Sequence, residues 1–187
     1  MDKGESVKCC DAMNYMGSKQ KFASLIIQKF PKHEIYAEPF FGGGSVFFAK
    51  PKVRINLLND IDREVYSFFK IIMENKQGFV KFLSDFPLHN EIIKEWQKRE
   101  KNELETAVLF FIKNCYLFEG NIRMNNDIKN VEEVNLRKVE RYSQKLKHCV
   151  FTCYDALKFL DVLHTRHESD KQKVFIYCDP PYINTAN

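Results

Sequence analysis

The sequence lacks the features that mark several large classes of protein. No stretch approaches the roughly 20 apolar residues of a transmembrane helix, and the first residues, MDKGESVKCCDAMNYMGSK, contain no apolar segment of a secretory signal. The six cysteines include no CxxC pair and no histidine at the spacing of a zinc site. These absences disfavour membrane and zinc proteins. They predict a cytoplasmic protein with reduced thiols, each a small buried apolar side chain.

The chain also lacks a large excess of either charge, because its 29 Lys and Arg residues and 25 Asp and Glu residues give a formal net charge of +4. Such a mild positive bias permits nucleic acid as a partner without arguing for it. Internal repeats and low-complexity tracts are absent as well. The 187 residues are 44% hydrophobic and 29% charged, which suits one globular domain with a modest insertion.

Strand and helix patterns alternate at both ends of the chain but not in its middle. Before about residue 75, EIYAEPF and VRINLLND predict short strands separated by helices. From about residue 148, CVFTCYD and KVFIYCDPPY predict two more strands, the last one buried over residues 174–178. Residues 76–147 predict amphipathic helices with no convincing strand, and EGNIRMNNDIKNVEE within them predicts a loop. We therefore expect an α/β fold, in which residues 1–75 and 148–187 form a mostly parallel sheet and residues 76–147 form a helical insertion.

Two stretches near the first strands predict a ligand site. In AEPFFGGGSVF, three glycines between a strand and a helix allow a tight turn and a close approach of a ligand. The spacing is not G-x-G-x-x-G and no P-loop Lys-Ser/Thr follows, which disfavours a dinucleotide or a triphosphate. In LLNDID, Asp60 is better placed than Asp62 to accept hydrogen bonds from ribose hydroxyls at the strand end. The competing roles are a purely structural turn for the glycines and a helix N-cap for either aspartate.

The stretch VFIYCDPPY predicts a strand that ends in a rigid polar corner. Consecutive prolines fix φ and remove two N–H donors, so the strand cannot continue in a central sheet. The corner presents two acceptors, the Asp179 carboxylate and the Pro180 carbonyl, beside the aromatic ring of Tyr182. Two acceptors and a stacking ring match the exocyclic amino group of a flat base.

Together these stretches resemble the adenine-specific amino-methyltransferases of DNA, the Dam-type family. YMGSK resembles the family's N-terminal motif, AEPFFGGGSVF its glycine-rich cofactor loop, NDID its ribose-binding strand end and DPPY its catalytic turn. The motifs occur in the family's order, and the helical insertion takes the place of its target-recognition domain. The resemblance covers about residues 13 to 187. It implies an α/β fold with a Rossmann-like S-adenosylmethionine-dependent methyltransferase sheet, incomplete at the C-terminus because the chain ends soon after DPPY.

The resemblance implies S-adenosyl-L-methionine as the methyl donor. Lys19 would contact this cofactor, Asp60 would hold its ribose hydroxyls, and Asp155, at the end of a later strand, would neighbour its adenine. The glycine loop would lie under the methionine part. The implied cofactor-binding residues are Tyr15, Lys19, Phe40, Gly42, Gly44, Asp60 and Asp155.

The implied acceptor is an adenine flipped out of double-stranded DNA. Hydrogen bonds from its amino group to Asp179 and to the Pro180 carbonyl would return electron density to the nitrogen, while Tyr182 stacks on the base. The nitrogen would then attack the methyl group directly, so neither a metal nor a covalent enzyme intermediate is expected.

Sequence recognition would fall to the insertion. In LFEGNIRMNND, the residues Gly120, Arg123 and Asn125 match the family's recognition loop, whereas Glu119 and Asn121 depart from it. Arg123 could pair bidentately with a guanine, or it could serve a phosphate contact or a surface ion pair. Further basic residues could follow the DNA backbone or simply form a solvated helix face; these are Lys129, Arg137, Lys138, Arg141, Lys145 and Lys147.

Two other functions fit the same residues. The same catalytic turn serves methylation of the cytosine amino group, and a chain that ends at Asn187 could be a truncated, inactive remnant that binds DNA or cofactor. The motif order and the recognition loop favour an adenine-specific enzyme. We expect it to act as a monomer in the cytoplasm of a prokaryotic or phage-infected cell.

Overall fold

The computed structural model describes residues 18–118, 121–122, 128–164 and 173–181, without the side chains at 118 and 128–135. Its helices in chain order are α1 Ala23–Ile27, α2 Ser45–Ala49, α3 Arg63–Glu74, α4 Lys76–Asp85, α5 Asn90–Lys98, α6 Glu103–Cys115, α7 Ile128–Leu146 and α8 Ala156–His164. Its strands are β1 Ile35–Glu38, β2 Ile55–Asn59, β3 Leu117–Phe118, β4 Asn121–Ile122, β5 Val150–Thr152 and β6 Val174–Ile176. Among the helices of these ranges we find none with the length and apolar character that a membrane span requires.

Four of the strands form one parallel sheet in the order β5-β2-β1-β6. Ile35 of β1 lies opposite Ile55 of β2 on one side and opposite Val174 of β6 on the other. The chain therefore moves outward from β1 through β2 to β5, and then returns to the far side of β1. Open α/β sheets bind ligands where the strand order reverses in this way, here between β1 and β6. The predicted α/β fold with a parallel sheet is confirmed.

The central strands carry the apolar runs that buried parallel strands need. All four residues of β1 are buried, and β2 is buried from Asn56 to Asn59. The prediction of a buried strand over residues 174–178 is wrong in length and in burial. β6 ends at Ile176, which is 39% exposed, because β6 is an edge strand of the described sheet. The Tyr177 N–H still donates to the Ala37 carbonyl, so β1 holds the chain as it approaches the double proline.

The helices from α3 to α7 pack against the sheet through a core rich in aromatic rings. Phe68 of α3 stacks on Phe111 of α6 with ring centroids 5.6 Å apart, and the same core includes Tyr36 and Phe41 from the sheet side. An asparagine–glutamate capping box starts α6, with mutual hydrogen bonds that satisfy the first N–H groups of the helix. The helical block and the sheet therefore share one hydrophobic core.

The stretch predicted as a loop is partly regular. β3 and β4 pair antiparallel, with Leu117 opposite Ile122, and α7 begins at Ile128. The loop prediction is therefore wrong at residues 121–122 and 128–133, and the prediction of a block without strands is wrong at residues 117–118 and 121–122. Strands of two residues are too short to show alternation, and Asn130 in the first turn of α7 is typical of a turn. The Ile122 N–H donates to Asn90 Oδ1 at 2.9 Å, which ties the hairpin to the start of α5.

Candidate functional site

Three polar segments meet at one edge of the sheet because they all follow the carboxyl ends of parallel strands. The glycine turn follows β1, Asp60 follows β2, and Asp179 lies three residues beyond β6. β1 and β6 flank the point where the strand order reverses, and β2 is the next strand on the other side of β1. The sequence separates these segments widely, and the parallel sheet brings them together.

Asp60 joins the end of β2 to the glycine turn. Its Oδ2 accepts a hydrogen bond from the Gly42 N–H at 2.6 Å, and its Oδ1 accepts one from the Asp62 N–H at 2.9 Å. Burial raises the pKa of the Asp60 carboxyl, and these backbone hydrogen bonds partly oppose the rise because they favour the charged form. The Asp60 carboxylate therefore holds the glycine turn in place at the carboxyl ends of the strands.

The two aspartates that the sequence left as alternatives have separate positions. Asp62 is the N-cap of α3, and its side chain accepts a hydrogen bond from the Glu64 N–H at 2.8 Å. Asp60 is 9% exposed and faces the glycine turn. The capping role thus belongs to Asp62, and Asp60 is available at the site.

Two of the three glycines adopt backbone angles that favour glycine. Gly42 has a φ of 50° and Gly44 a φ of 66°, both in the left-handed region. A Cβ on Gly44 would also lie 2.5 Å from the ring of Phe41 and 2.7 Å from the ring of Phe48. Gly44 is therefore required by the turn itself and by its packing, whereas Gly42 presents its N–H to Asp60.

An ion pair connects the first and last motifs of the chain. Lys19 Nζ lies 2.9 Å from Asp179 Oδ2, and each side chain retains about a quarter of its exposure, 22% and 24%. The backbone N–H of Lys19 donates to Ser45 Oγ at 3.1 Å, which ties the segment to the first residue of α2. The aspartate of the double-proline corner is thus held beside the glycine turn by a cation from the start of the chain.

Sequence reasoning missed a buried carboxyl at the centre of this edge. Glu38 ends β1, is 3% exposed and accepts a hydrogen bond from the Tyr36 hydroxyl at 2.7 Å. Its pKa is raised from 4.5 to about 8, chiefly by burial; Asp179 and Asp60 act in the same direction, and Tyr36 and Lys50 oppose them. Glu38 is therefore mostly protonated at neutral pH. Its place as an acidic residue at the end of a strand, directly before the glycine turn, is the signal that could have revealed it.

Asn59 is a second residue that the sequence pattern did not single out. It is fully buried, and its amide donates to the carbonyls of Pro39 and Tyr154 at 3.0 and 2.9 Å. Its oxygen accepts hydrogen bonds from the Thr152 hydroxyl at 2.7 Å and from the Tyr154 N–H at 2.9 Å. One side chain thereby links the ends of β1, β2 and β5 and fixes the spacing of the segments that follow them.

The family model of the D12 class N6 adenine-specific DNA methyltransferases matches residues 15–187. The chain belongs to this family. It is similar to the DNA N-6-adenine-methyltransferase of Escherichia phage P1, with 25% identity over 92% of this chain and 24% of the relative. It also resembles the DNA adenine methylases of Haemophilus influenzae (26% identity, 91% of this chain, 63% of the relative) and Escherichia coli K12 (26%, 91%, 64%). The chain thus spans less than two thirds of the length of these relatives.

Eight of the thirteen predicted site residues lie in the part of this D12-class chain that the structure describes. Lys19, Gly42 and Asp60 converge with Asp179 as described above. Pro180 is exposed and follows Asp179, and Phe40 is half-buried in the turn. Gly44 belongs to the packing of the same turn.

Asp155 follows β5, the strand that pairs with β2, at the same edge of the sheet. It is exposed, its Oδ1 accepts a hydrogen bond from the Leu157 N–H at 2.9 Å, and it immediately precedes α8. This contact is that of a helix N-cap. Five further predicted residues lie outside the described residues: Tyr15, Gly120, Arg123, Asn125 and Tyr182. No group of three His, Cys, Asp or Glu side chains in the described ranges could hold a metal ion.

Proposed function

We propose that the protein transfers a methyl group from S-adenosyl-L-methionine to the N6 amino group of adenine in double-stranded DNA, at a specific sequence. The observation that carries the proposal is the contact between Lys19 and Asp179, which joins the first and last motifs across the β1–β6 cleft. Membership of the D12 class supports adenine over cytosine as the target base. The names of the relatives, DNA adenine methylases, support the same reaction.

The residues at this edge suit the proposed cofactor. S-Adenosylmethionine carries ribose hydroxyls, an α-carboxylate and a positive sulfonium centre. Asp60 has acceptor capacity beyond its two backbone hydrogen bonds, because a carboxylate offers about four lone-pair sites. Lys19 supplies an ammonium group for a carboxylate, and the acidic side chains that raise the pKa of Glu38 create a negative field suited to a cation. When bound, the cofactor would supply an electrophilic methyl group.

The corner after β6 would prepare the adenine. Asp179 and the Pro180 carbonyl would each accept one proton of the amino group, which favours a pyramidal, more nucleophilic nitrogen. As that nitrogen acquires positive charge, the fixed acceptors would stabilise it. Tyr182 would stack on the flipped base and offset part of the few kcal/mol that unstacking costs.

Lys19 would orient Asp179 before the substrate arrives. An aspartate beyond a strand end has several rotamers, and the ion pair would select one that directs the carboxylate toward Lys19. Because both side chains are partly exposed, the pair can open at small cost, and Lys19 can then turn to the cofactor.

The helices of residues 76–147 would read the target sequence. We propose Gly120, Arg123 and Asn125 as the recognition residues; in the sequence Gly120 lies between β3 and β4, and the other two follow β4. The hydrogen bond from Ile122 to Asn90 would set the position of this hairpin relative to the helical block. Arg123 would contribute a bidentate contact to guanine, worth about 1 to 3 kcal/mol of discrimination.

The test is transfer of a labelled methyl group from S-adenosylmethionine to duplex DNA, with the wild-type chain compared with Asp179→Ala. Asp161→Ala, which removes an exposed aspartate on α8, is the matched control. We expect transfer by the wild type and the control and a loss of at least a hundredfold in Asp179→Ala, because one fixed acceptor contributes about that factor.

Cofactor binding, measured in parallel by calorimetry, separates two negative results. Binding without transfer in the wild type would reduce the function to that of a cofactor-binding remnant. Transfer that survives unchanged in Asp179→Ala would refute the assignment of the catalytic turn.

A further inference from the structure

A concave pocket lies beside α2, the helix that follows the glycine turn. Its volume is about 330 Å³, and its lining residues are Phe48, Lys52, Arg141, Tyr142, Gln144 and Lys145. Half of these side chains are cationic and none is acidic. The pocket is formed by α2, by the segment that leads into β2, and by the last turns of α7.

The pocket belongs to the opposite edge of the sheet. Lys52 precedes β2, and Lys145 precedes β5, so both lie at the amino ends of parallel strands. Asp60 follows the carboxyl end of β2, whose five residues span roughly 16 Å. A DNA duplex bound at the proposed catalytic edge would therefore lie at the opposite ends of the strands from Arg141 and Lys145.

Backbone carbonyls hold the two lysines in the wall of the pocket. Lys52 Nζ donates to the carbonyl of Lys147, and Lys145 Nζ donates to the carbonyl of Lys50. An ammonium group has three N–H donors, so a single carbonyl bond anchors the head without using its full donor capacity. These bonds position the half-buried ammonium group of Lys145 and the exposed ammonium group of Lys52 in the same pocket as Arg141.

The concentration of positive charge here is costly without an anion. The pKa of Lys145 is lowered by burial first, and the charges of Lys52 and Arg141 lower it further. Lys50 lies directly behind, is 2% exposed, and has a pKa lowered to about 8 by burial and by Lys145. The Glu140 carboxylate accepts a hydrogen bond from Gln144 and pairs with Lys76. A bound anion would relieve this repulsion.

We propose that Lys52, Arg141 and Lys145 bind the phosphate group of a phosphate monoester of nucleotide size. The guanidinium and the two ammonium groups match a phosphate dianion, which accepts several charge-assisted hydrogen bonds. The volume exceeds what inorganic phosphate alone would fill and lies at the lower end of the range for small-molecule pockets, about 300 to 1,000 Å³. The half-buried ring of Phe48, packed on Tyr142 at 4.4 Å, offers an apolar surface for the organic part.

Calorimetric titration of the full chain at constant ionic strength tests the proposal with three probes. These are inorganic phosphate, adenosine 5′-monophosphate, and a short DNA duplex with or without a 5′-phosphate. We expect the monophosphate to bind more tightly than inorganic phosphate. A duplex that binds here only when it carries the 5′-phosphate would identify a nucleic-acid end, and not a free nucleotide, as the source of the monoester.

Lys52→Gln and Arg141→Gln should each weaken monophosphate binding about tenfold, as expected for the loss of one charge-assisted hydrogen bond. Lys81→Gln, which removes an exposed lysine on α4, is the charge-matched control and should change binding less than twofold. Thermal melts would show whether each variant remains folded.

An equal loss in Lys81→Gln would show a general charge effect and overturn the proposal. So would the absence of binding by all three probes up to about 10 mM. Because binding is read without methyl transfer, failure here is distinguishable from failure of the proposed function.

Discussion

Glu38→Gln is the substitution whose effect on stability the structure defines most sharply. At neutral pH the folded protein keeps a proton on the buried Glu38 carboxyl, which the unfolded chain releases near pH 4.5. Between pH 4.5 and about 8 the folded state therefore binds more protons than the unfolded state, and the free energy of unfolding falls as the pH rises. Glutamine has nearly the same shape, can accept the Tyr36 hydrogen bond and does not titrate.

The rise in the pKa of Glu38 from 4.5 to about 8 corresponds to a loss of unfolding free energy on the order of 5 kcal/mol as the pH rises through both values. Between pH 5.5 and 7.5 the wild type should lose roughly 2 to 3 kcal/mol of unfolding free energy relative to Glu38→Gln, and at pH 8 the variant should be the more stable protein. The difference between the two proteins reports the titration of Glu38 together with its electrostatic coupling to Lys50 and Asp60.

Urea unfolding of both proteins at several pH values measures this difference directly. Glu95→Gln, which replaces an exposed glutamate on α5, is the control and should differ from the wild type by a constant amount. A difference between wild type and Glu38→Gln that stays flat from pH 5.5 to 7.5 would refute the protonated state of Glu38.

Three further predictions concern the same edge. Gly44→Ala should lower the free energy of unfolding by about 2 to 4 kcal/mol in urea melts. The alanine would be strained at a positive φ, and its Cβ would clash with neighbouring aromatic rings. Gly43→Ala, where φ is not positive, should cost less. Asn59→Ala should cost on the order of 2 to 4 kcal/mol in the same assay, since it removes the partner of backbone groups of Pro39 and Tyr154, which follow β1 and β5. Lys19→Gln should weaken S-adenosylmethionine binding about tenfold by calorimetry, whereas Lys21→Gln, at an exposed neighbouring position, should not.

The parallel sheet was predictable because its strands carry strong local signals. The runs EIYAEPF and VRINLLND combine β-branched and aromatic residues with clear stops, and they became β1 and β2. The double proline also indicated where the last strand must end, although β6 stops at Ile176, before the expected residue. Edge position decides the exposure of this strand, and a local pattern does not carry that information.

The site was predictable only in its parts. The glycine turn, Asp60 and Asp179 can each be recognised from the local sequence, but the pairing of Lys19 with Asp179 depends on long-range folding. Glu38 was not predicted because its raised pKa comes from burial near other carboxyl groups, which the residue pattern of a single strand cannot show. The hairpin of β3 and β4 was missed for a different reason, since two-residue strands carry no periodicity.

The most direct test of the proposed chemistry is the identity of the methylated base. Duplex DNA incubated with the protein and S-adenosylmethionine, then digested to nucleosides and analysed by mass spectrometry, should contain N6-methyladenine and no N4-methylcytosine. Methylated cytosine, or bound cofactor with no methylated base at all, would contradict the account.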